Sequence, residues 1–183
     1  MNDAAVVTGG SRGSDVEIYR CDVADKAQVR EVSRQILKRF GRVDVLVNNA
    51  GIAQIKLLTD TTEDEWDRMM GVNVKGLYNT CHELVPQMVS RKYGRIINIS
   101  SMDGLVGAKL ISSYCAAKGG LMNVTKALAL EWGKDGITVN CICPGYFKTE
   151  INAYMFENEK WVKSITGKTA VRRVCELEEI TSA

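Results

Sequence analysis

The chain has 183 residues, a formal net charge of +2, 45% apolar residues and 25% charged residues, the balance of a globular domain with room for a sizeable core. No block of basic residues offers a nucleic-acid footprint, and no apolar run nears the roughly 18 residues of a membrane helix. The opening MNDAAVVTGG lacks a basic region followed by an apolar stretch, so neither nucleic acid nor membrane is an expected partner and the cytosol is the default compartment.

Ala4–Thr8 reads as a short apolar strand and Val16–Val23 as a second. Asp25–Phe40 carries Val29, Val32, Ile36 and Phe40 at helical spacing, with Gly41 as its stop. Val43–Val47 is strand-like. Thr62-x-x-Glu65 is a capping box that starts a helix running toward Met88. Arg95–Ser100 is the next strand. Ser112 or Ser113 can cap a helix over Tyr114–Trp132, and Gly136–Cys143 is a strand stopped by Pro144-Gly145. Glu150–Ile165 is expected to be helical, and Glu176–Ile180 to begin one more helix.

Without repeats or linkers, residues 1–183 read as a single domain. Strands alternating with long helices imply βαβ units, and hence a parallel sheet covered by helices on both faces. In such α/β sheets ligands sit beyond the carboxyl ends of the strands. Those ends are polar or glycine-rich here: Thr8-Gly9-Gly10-Ser11-Arg12-Gly13, Cys21-Asp22-Val23, Asn48-Asn49-Ala50-Gly51, Ser100-Ser101 and Pro144-Gly145-Tyr146-Phe147-Lys148-Thr149.

Six cysteines, at 21, 81, 115, 141, 143 and 175, include no CxxC pair, and the only histidine, His82, is remote from any cysteine pair. Free thiols are expected rather than a metal site. Trp66 and Trp132 read as packing residues, and His82 as helix surface.

Tyr114-x-x-x-Lys118 places a phenol and an ammonium on one helix face. An ammonium near a phenol favours the phenolate, so the pair predicts a lowered tyrosine pKa and a general acid or base for a ketone or secondary alcohol. Ser101 stands 13 residues upstream of Tyr114, and Asn73 lies in the helix before that strand.

Together these residues resemble the short-chain dehydrogenase/reductase family. The resemblance runs from TGGSRG through CDVAD, NNAG, VNVKG, ISS, YCAAK and PGYFKTE to RRVCELEEI. PGYFKTE is similar to gluconate 5-dehydrogenase-like members, with 3-oxoacyl-carrier-protein reductase-like members close behind. The implied fold is a Rossmann-like doubly wound α/β sheet. The implied activity is NAD(P)-dependent interconversion of a small polar ketone and an alcohol, of sugar-acid, polyol or 3-oxoacyl type, by a homo-dimer or homo-tetramer. Tyr114 would be the acid/base and Ser101 would hold the substrate carbonyl. Lys118 would bind the nicotinamide ribose, and Asn73 would hold a relay water.

By the same resemblance Gly9, Ser11, Arg12 and Gly13 would line the cofactor phosphates and ribose, and Asp22 and Val23 the adenine. Asn49, Ala50 and Gly51 would support the ribose, and Pro144, Gly145, Phe147 and Thr149 would flank the nicotinamide amide. Arg12 favours NADP slightly over NAD, because a guanidinium can pair with a 2′-phosphate. The stretch after the last strand, with Tyr154, Met155, Phe156 and Trp161, is where the family carries a substrate lid.

The chain departs from the pattern in one region above all. Asp15 stands where the family's third loop glycine belongs, and the first helix, second strand and second helix are absent from the sequence. The pattern also stops before the family's last strand. Gly9–Asp15 gives seven residues to join two strands, whereas a parallel crossover needs about a dozen or more. Either the sequence as given omits residues between Gly13 and Val16, which the intact catalytic pattern favours, or the chain is shortened. A shortened chain would leave a non-catalytic scaffold or binding module with an impaired cofactor site as the alternative function.

Overall fold

Four of the apolar runs pair into one sheet. The computed structural model describes residues 4–9, 17–148 and 153–182. Its strands are β1 (Ala5–Val7), β2 (Val45–Asn48), β3 (Gly94–Ile99) and β4 (Ile137–Ile142). All neighbouring pairs are parallel, in the order β1-β2-β3-β4. Residues 1–143 form one compact unit and residues 144–183 another.

Strand register explains the core of the first unit. Val6, Leu46, Ile96 and Val139 are partners across the sheet, so their side chains share one face. Against that row pack Ile36 of α1 (Lys26–Phe40), Leu84 and Met88 of α3 (Gly76–Arg91) and Leu121 of α4 (Ser112–Trp132). The alternate row, Val7, Val47 and Ile97, faces the other way, and Val7 is 55% exposed. The helices that would cover that face in a doubly wound sheet are among those missing from the sequence. Trp132 packs on the core as expected.

Local chemistry sets the helix ends. Asp25 caps α1 by accepting from the N–H groups of Ala27 and Gln28, and Gly41 closes it at φ +77°, a conformation that glycine adopts without strain. Thr62 and Glu65 form both halves of the capping box that opens α2 (Glu63–Met70). The helix does run on to Arg91, but through one π-helical turn at Gly71–Lys75.

Several expectations change. The strand expected over Val16–Val23 does not form in its described part: residues 17–22 run without regular structure into a turn at Val23-Ala24. The segment has strand-like residues but no neighbour, because the strand that would lie between it and β1 is absent from the sequence. Tyr19 instead donates to Glu17, which also pairs with Arg39 of α1. The junction from Gly13 to Val16 lies outside the described residues.

Neither Ser112 nor Ser113 caps α4. The helix starts at Ser112, and Ile111 stands at the cap without a side-chain hydrogen bond.

In the second unit, Asn158 divides the expected Glu150–Ile165 helix into a 3₁₀ turn (Ala153–Glu157) and α5 (Glu159–Thr166). Asn158 accepts from Trp161 N–H at the start of α5. Leu177–Ser182 is a 3₁₀ turn rather than an α-helix.

Candidate active site

The carboxyl ends of β1 and β2 are bolted together by one hydroxyl. Thr8 Oγ1 accepts from the backbone N–H of Asn49 and of Ala50, each at 2.9 Å, and Asn49 Nδ2 returns a bond to Thr8 O at 3.0 Å. Gly9 follows at φ +72°, so close to the next chain that a Cβ would lie 2.9 Å from Ala50 Cα. Gly51 is under a similar constraint. A Cβ there would lie 2.8 Å from Asn73 Oδ1 and 3.3 Å from Lys118 Nζ. Both contacts are tight, and Asn73 is held by bonds from its Nδ2 to Ile52 O and Met69 O. Gly51→Ala is therefore expected to lower the unfolding free energy by ~1–3 kcal/mol, read from a urea titration, as overpacking does.

Asn73 sits in the π-helical turn and is 3% exposed. Single π turns often mark functional sites, because they offset a side chain from the helical row. Among the described residues nothing donates to Asn73 Oδ1. Asn73 also lines, with Thr8, Asn48 and Ala50, a cavity of about 10 Å³, close to the least that one water needs.

Lys118 is 4% exposed, and its Nζ donates to Ile99 O at 2.8 Å, at the end of β3. Its ammonium lies 5.7 Å from the centroid of the Tyr114 ring. Ser100 Oγ donates to Lys118 O at 2.7 Å, which ties the end of β3 to α4. The turn Met102–Gly104 lies directly on the same stretch, and a Cβ on Gly104 would meet the Lys118 carbonyl carbon at 2.8 Å. Ser101, buried, begins that turn, and its Oγ accepts from Asp103 N–H at 3.1 Å. Burial holds the Lys118 ammonium below the usual lysine range, opposed by Cys141 and Cys143.

The Tyr114 phenol departs from the sequence expectation. Its pKa is raised, not lowered. Burial is the largest cause, the Asp103 and Cys115 charges add to it, and a hydrogen bond with Ser101 works the other way. Lys118 bonds to a backbone carbonyl and meets the ring rather than the hydroxyl, so it does not reverse the effect of burial.

The first unit thus brings together Gly9, Asn49, Ala50, Gly51, Asn73, Ser101, Tyr114 and Lys118 at one end of the sheet. The sequence model of the family described as short chain dehydrogenase matches residues 3–160. The chain belongs to the short-chain dehydrogenase family. It is 35% identical to a D-beta-hydroxybutyrate dehydrogenase of Rhizobium meliloti, over 92% of this chain and 65% of that protein. It is 37% identical to a 3-oxoacyl-acyl-carrier-protein reductase of Thermotoga maritima, over 79% of this chain and 59% of that one. A crystal structure of a gluconate 5-dehydrogenase from Burkholderia cenocepacia, in complex with NADP and tartrate, superposes with a TM-score of 0.84 at 33% identity. That match covers 88% of this chain and 64% of the other. The chain therefore spans a little under two thirds of the length of these short-chain dehydrogenase relatives.

Other residues singled out from the sequence lie elsewhere. Asp22 accepts from Ala24 N–H and pairs with Arg68 at 2.7 Å, which holds its carboxyl below the usual range. Val23 packs on Gly76, where a Cβ would come within 2.8 Å of its Cγ2. Pro144, Gly145 and Phe147 belong to the second unit, where Phe147 makes an isolated parallel bridge to Cys175. Trp161 meets Tyr146 and Phe156 edge-on, with centroids 5.4 and 5.2 Å apart. Tyr154 is exposed. Ser11, Arg12, Gly13 and Thr149 lie outside the described residues. His82 is half-exposed beside Glu83.

Two features of this candidate site were not legible in the sequence. One is Asp103, beside Ser101. The other is a buried chain of hydrogen bonds, Thr80 to Asn48, Asn48 to Asn98 and Asn98 to Thr125, at 2.7, 2.9 and 2.9 Å. It joins α3, β2, β3 and α4 beneath the site. Asparagines at paired strand positions, Asn48 opposite Asn98, were its only trace in the sequence.

Proposed function

We propose that the chain is the catalytic part of an NAD(P)-dependent oxidoreductase that interconverts a small polar ketone and a secondary alcohol, of sugar-acid, polyol or 3-oxoacyl type. The observation that carries this reading is the convergence of a buried serine hydroxyl, a half-buried phenol and a buried ammonium at the carboxyl end of β3. The described residues fit a nicotinamide cofactor. Gly9 and Gly51 keep bare backbone at the carboxyl ends of β1 and β2, packed so tightly on Ala50, Asn73 and Lys118 that a Cβ would collide, and among the described residues nothing partners Asn73 Oδ1. Gly9, Asn49, Ala50, Gly51 and Lys118 would hold its ribose side. Bound in reduced form, the group supplies a hydride.

In the reducing direction Tyr114 gives its phenolic proton to the carbonyl oxygen, and Ser101 donates a hydrogen bond to the same oxygen as negative charge grows there. A phenol pushed above its ordinary value remains protonated at neutral pH and is suited to act as the acid. Lys118 supplies positive charge under the ring. Asn73 positions a water that returns the proton from solvent. NADP is favoured over NAD, a reading supported by the gluconate 5-dehydrogenase neighbour with NADP bound. The working form is a homo-dimer or homo-tetramer.

Fluorescence titration with NADPH and NADH, followed by assays on ketoses, keto-sugar acids and 3-oxoacyl esters, tests the reading. Micromolar cofactor binding and turnover of one ketone class are expected. Absence of both would favour the scaffold alternative.

A further inference from the structure

Beside the Ser101 hydroxyl stands a carboxylate that the proposed chemistry does not use. Asp103 Oδ2 lies 3.5 Å from Ser101 Oγ, at the outer limit of a hydrogen bond, while the Asp103 N–H donates to the same oxygen at 3.1 Å. The residue is half-buried and forms no ion pair among the described residues. The turn that carries it is held against α4, where Gly104 is pressed onto the backbone of Lys118 and Gly119. The turn packs on α4, whose nearby titratable groups are Tyr114, Cys115 and Lys118, and the ammonium of Lys118 is committed to Ile99 O.

Geometry then limits what can bind. A carbonyl oxygen bonded to Ser101 lies within about 6 Å of the Asp103 carboxylate, since one more hydrogen bond of ~2.7 Å is added to the 3.5 Å already there. An ionised carboxylate only accepts hydrogen bonds. A ligand group reaching it must bring an O–H or N–H, and a second carboxylate in that place would face a like charge that no cation among the described residues neutralises.

We propose that Asp103 is a specificity-determining residue that selects ketones carrying a hydroxyl on the carbon next to the carbonyl and rejects those carrying an acid group there. This rests on the reductase reading above and narrows its substrate class to hydroxy-ketones. The hydroxyl donates to Asp103 while the carbonyl oxygen takes its bonds from Ser101 and Tyr114.

Hydroxyacetone and pyruvate, near-equal in size, separate the two classes. With wild type, kcat/KM is expected to favour hydroxyacetone. Asp103→Asn keeps the shape and removes the charge, and is expected to shift the ratio toward pyruvate by about tenfold or more. The charge of Asp103 also pushes the Tyr114 phenol up. In Asp103→Asn the fall of the reduction rate at alkaline pH should therefore begin at lower pH, a change that a merely structural role would not produce. An unchanged substrate ratio and an unmoved pH profile in this variant would overturn the assignment. Saturation-transfer NMR of both ketones keeps the two proposals apart. If wild type turns over no ketone, the reductase reading fails, while binding that prefers hydroxyacetone and loses that preference in Asp103→Asn still supports Asp103. Binding ratios equal in the two proteins would count against it.

Discussion

Tyr114→Phe is expected to lower kcat for ketone reduction by about 10²–10⁴-fold, the usual contribution of a positioned general acid. The substitution removes one oxygen and leaves the ring, so the packing of the half-buried side chain against the Lys118 ammonium persists. Lys118 keeps its bond to Ile99 O, and Thr8, Gly9 and Asn49–Gly51 are untouched. Cofactor affinity, read by fluorescence titration, should therefore change little while kcat collapses. Ser101 can still donate to the carbonyl oxygen, so some turnover above the uncatalysed rate is expected. The pH profile adds a second readout. Burial and the Asp103 charge place the phenol above its ordinary value, so wild-type reduction should hold through neutral pH and fall only in alkali. That alkaline limb should vanish in Tyr114→Phe. A variant with unchanged kcat would remove Tyr114 from the acid role, whatever its effect on stability.

Where the sequence was legible, the determining chemistry was local. Asp25 and Gly41 mark the ends of α1, and Thr62 with Glu65 opens α2, because a cap is decided by residues within one turn of each other. Spacing i, i+4 put Tyr114 and Lys118 on one face of α4. Long-range facts were hidden. Val16–Val23 has the residues of a strand, but a strand exists only by pairing, and its neighbour is missing. The π turn around Asn73 has no residue signature, and its place becomes plain only when Asn73 is seen bonded to Ile52 O from another segment. The direction of the Tyr114 shift depends on how deeply the folded chain buries the phenol, which the YxxxK spacing does not encode. For the same reason nothing in the sequence singles out Asp103. Its place comes from the turn, which Gly104 lets lie close on α4 and which sets a carboxylate oxygen 3.5 Å from Ser101 Oγ.

At the opposite, amino end of the sheet, Asp44→Asn is expected to destabilise the fold by about 3 kcal/mol, the lower end for breaking a buried charge cluster by removing one partner. Asp44 is 1% exposed and serves three segments at once. Its carboxylate accepts from Ala4 N–H at the entrance to β1, from Arg42 before β2 and from Arg91 at the end of α3, at 3.0, 3.0 and 2.9 Å. The arginines remain partly exposed at 29%, so water can solvate them when the charge is lost, which keeps the expected cost at the lower end. Burial pushes the Asp44 carboxyl up, but the Ala4 N–H and the two arginines more than offset it, and the folded pKa lies below its ordinary value. A carboxylate with a depressed folded pKa contributes stability that is fully present above the unfolded value of about 3.9 and is lost as pH falls through the folded one. Urea titrations from pH 7 downward should therefore show wild type losing part of its stability below about pH 4, with Asp44→Asn weaker at pH 7 but less sensitive to acid over that range. Because Thr8, Ser101, Tyr114 and Lys118 lie at the other end of the strands, kcat per folded molecule should survive in this variant. Parallel stability curves for the two proteins from pH 7 to pH 2 would show instead that the charge of Asp44 contributes nothing to the acid sensitivity of the fold.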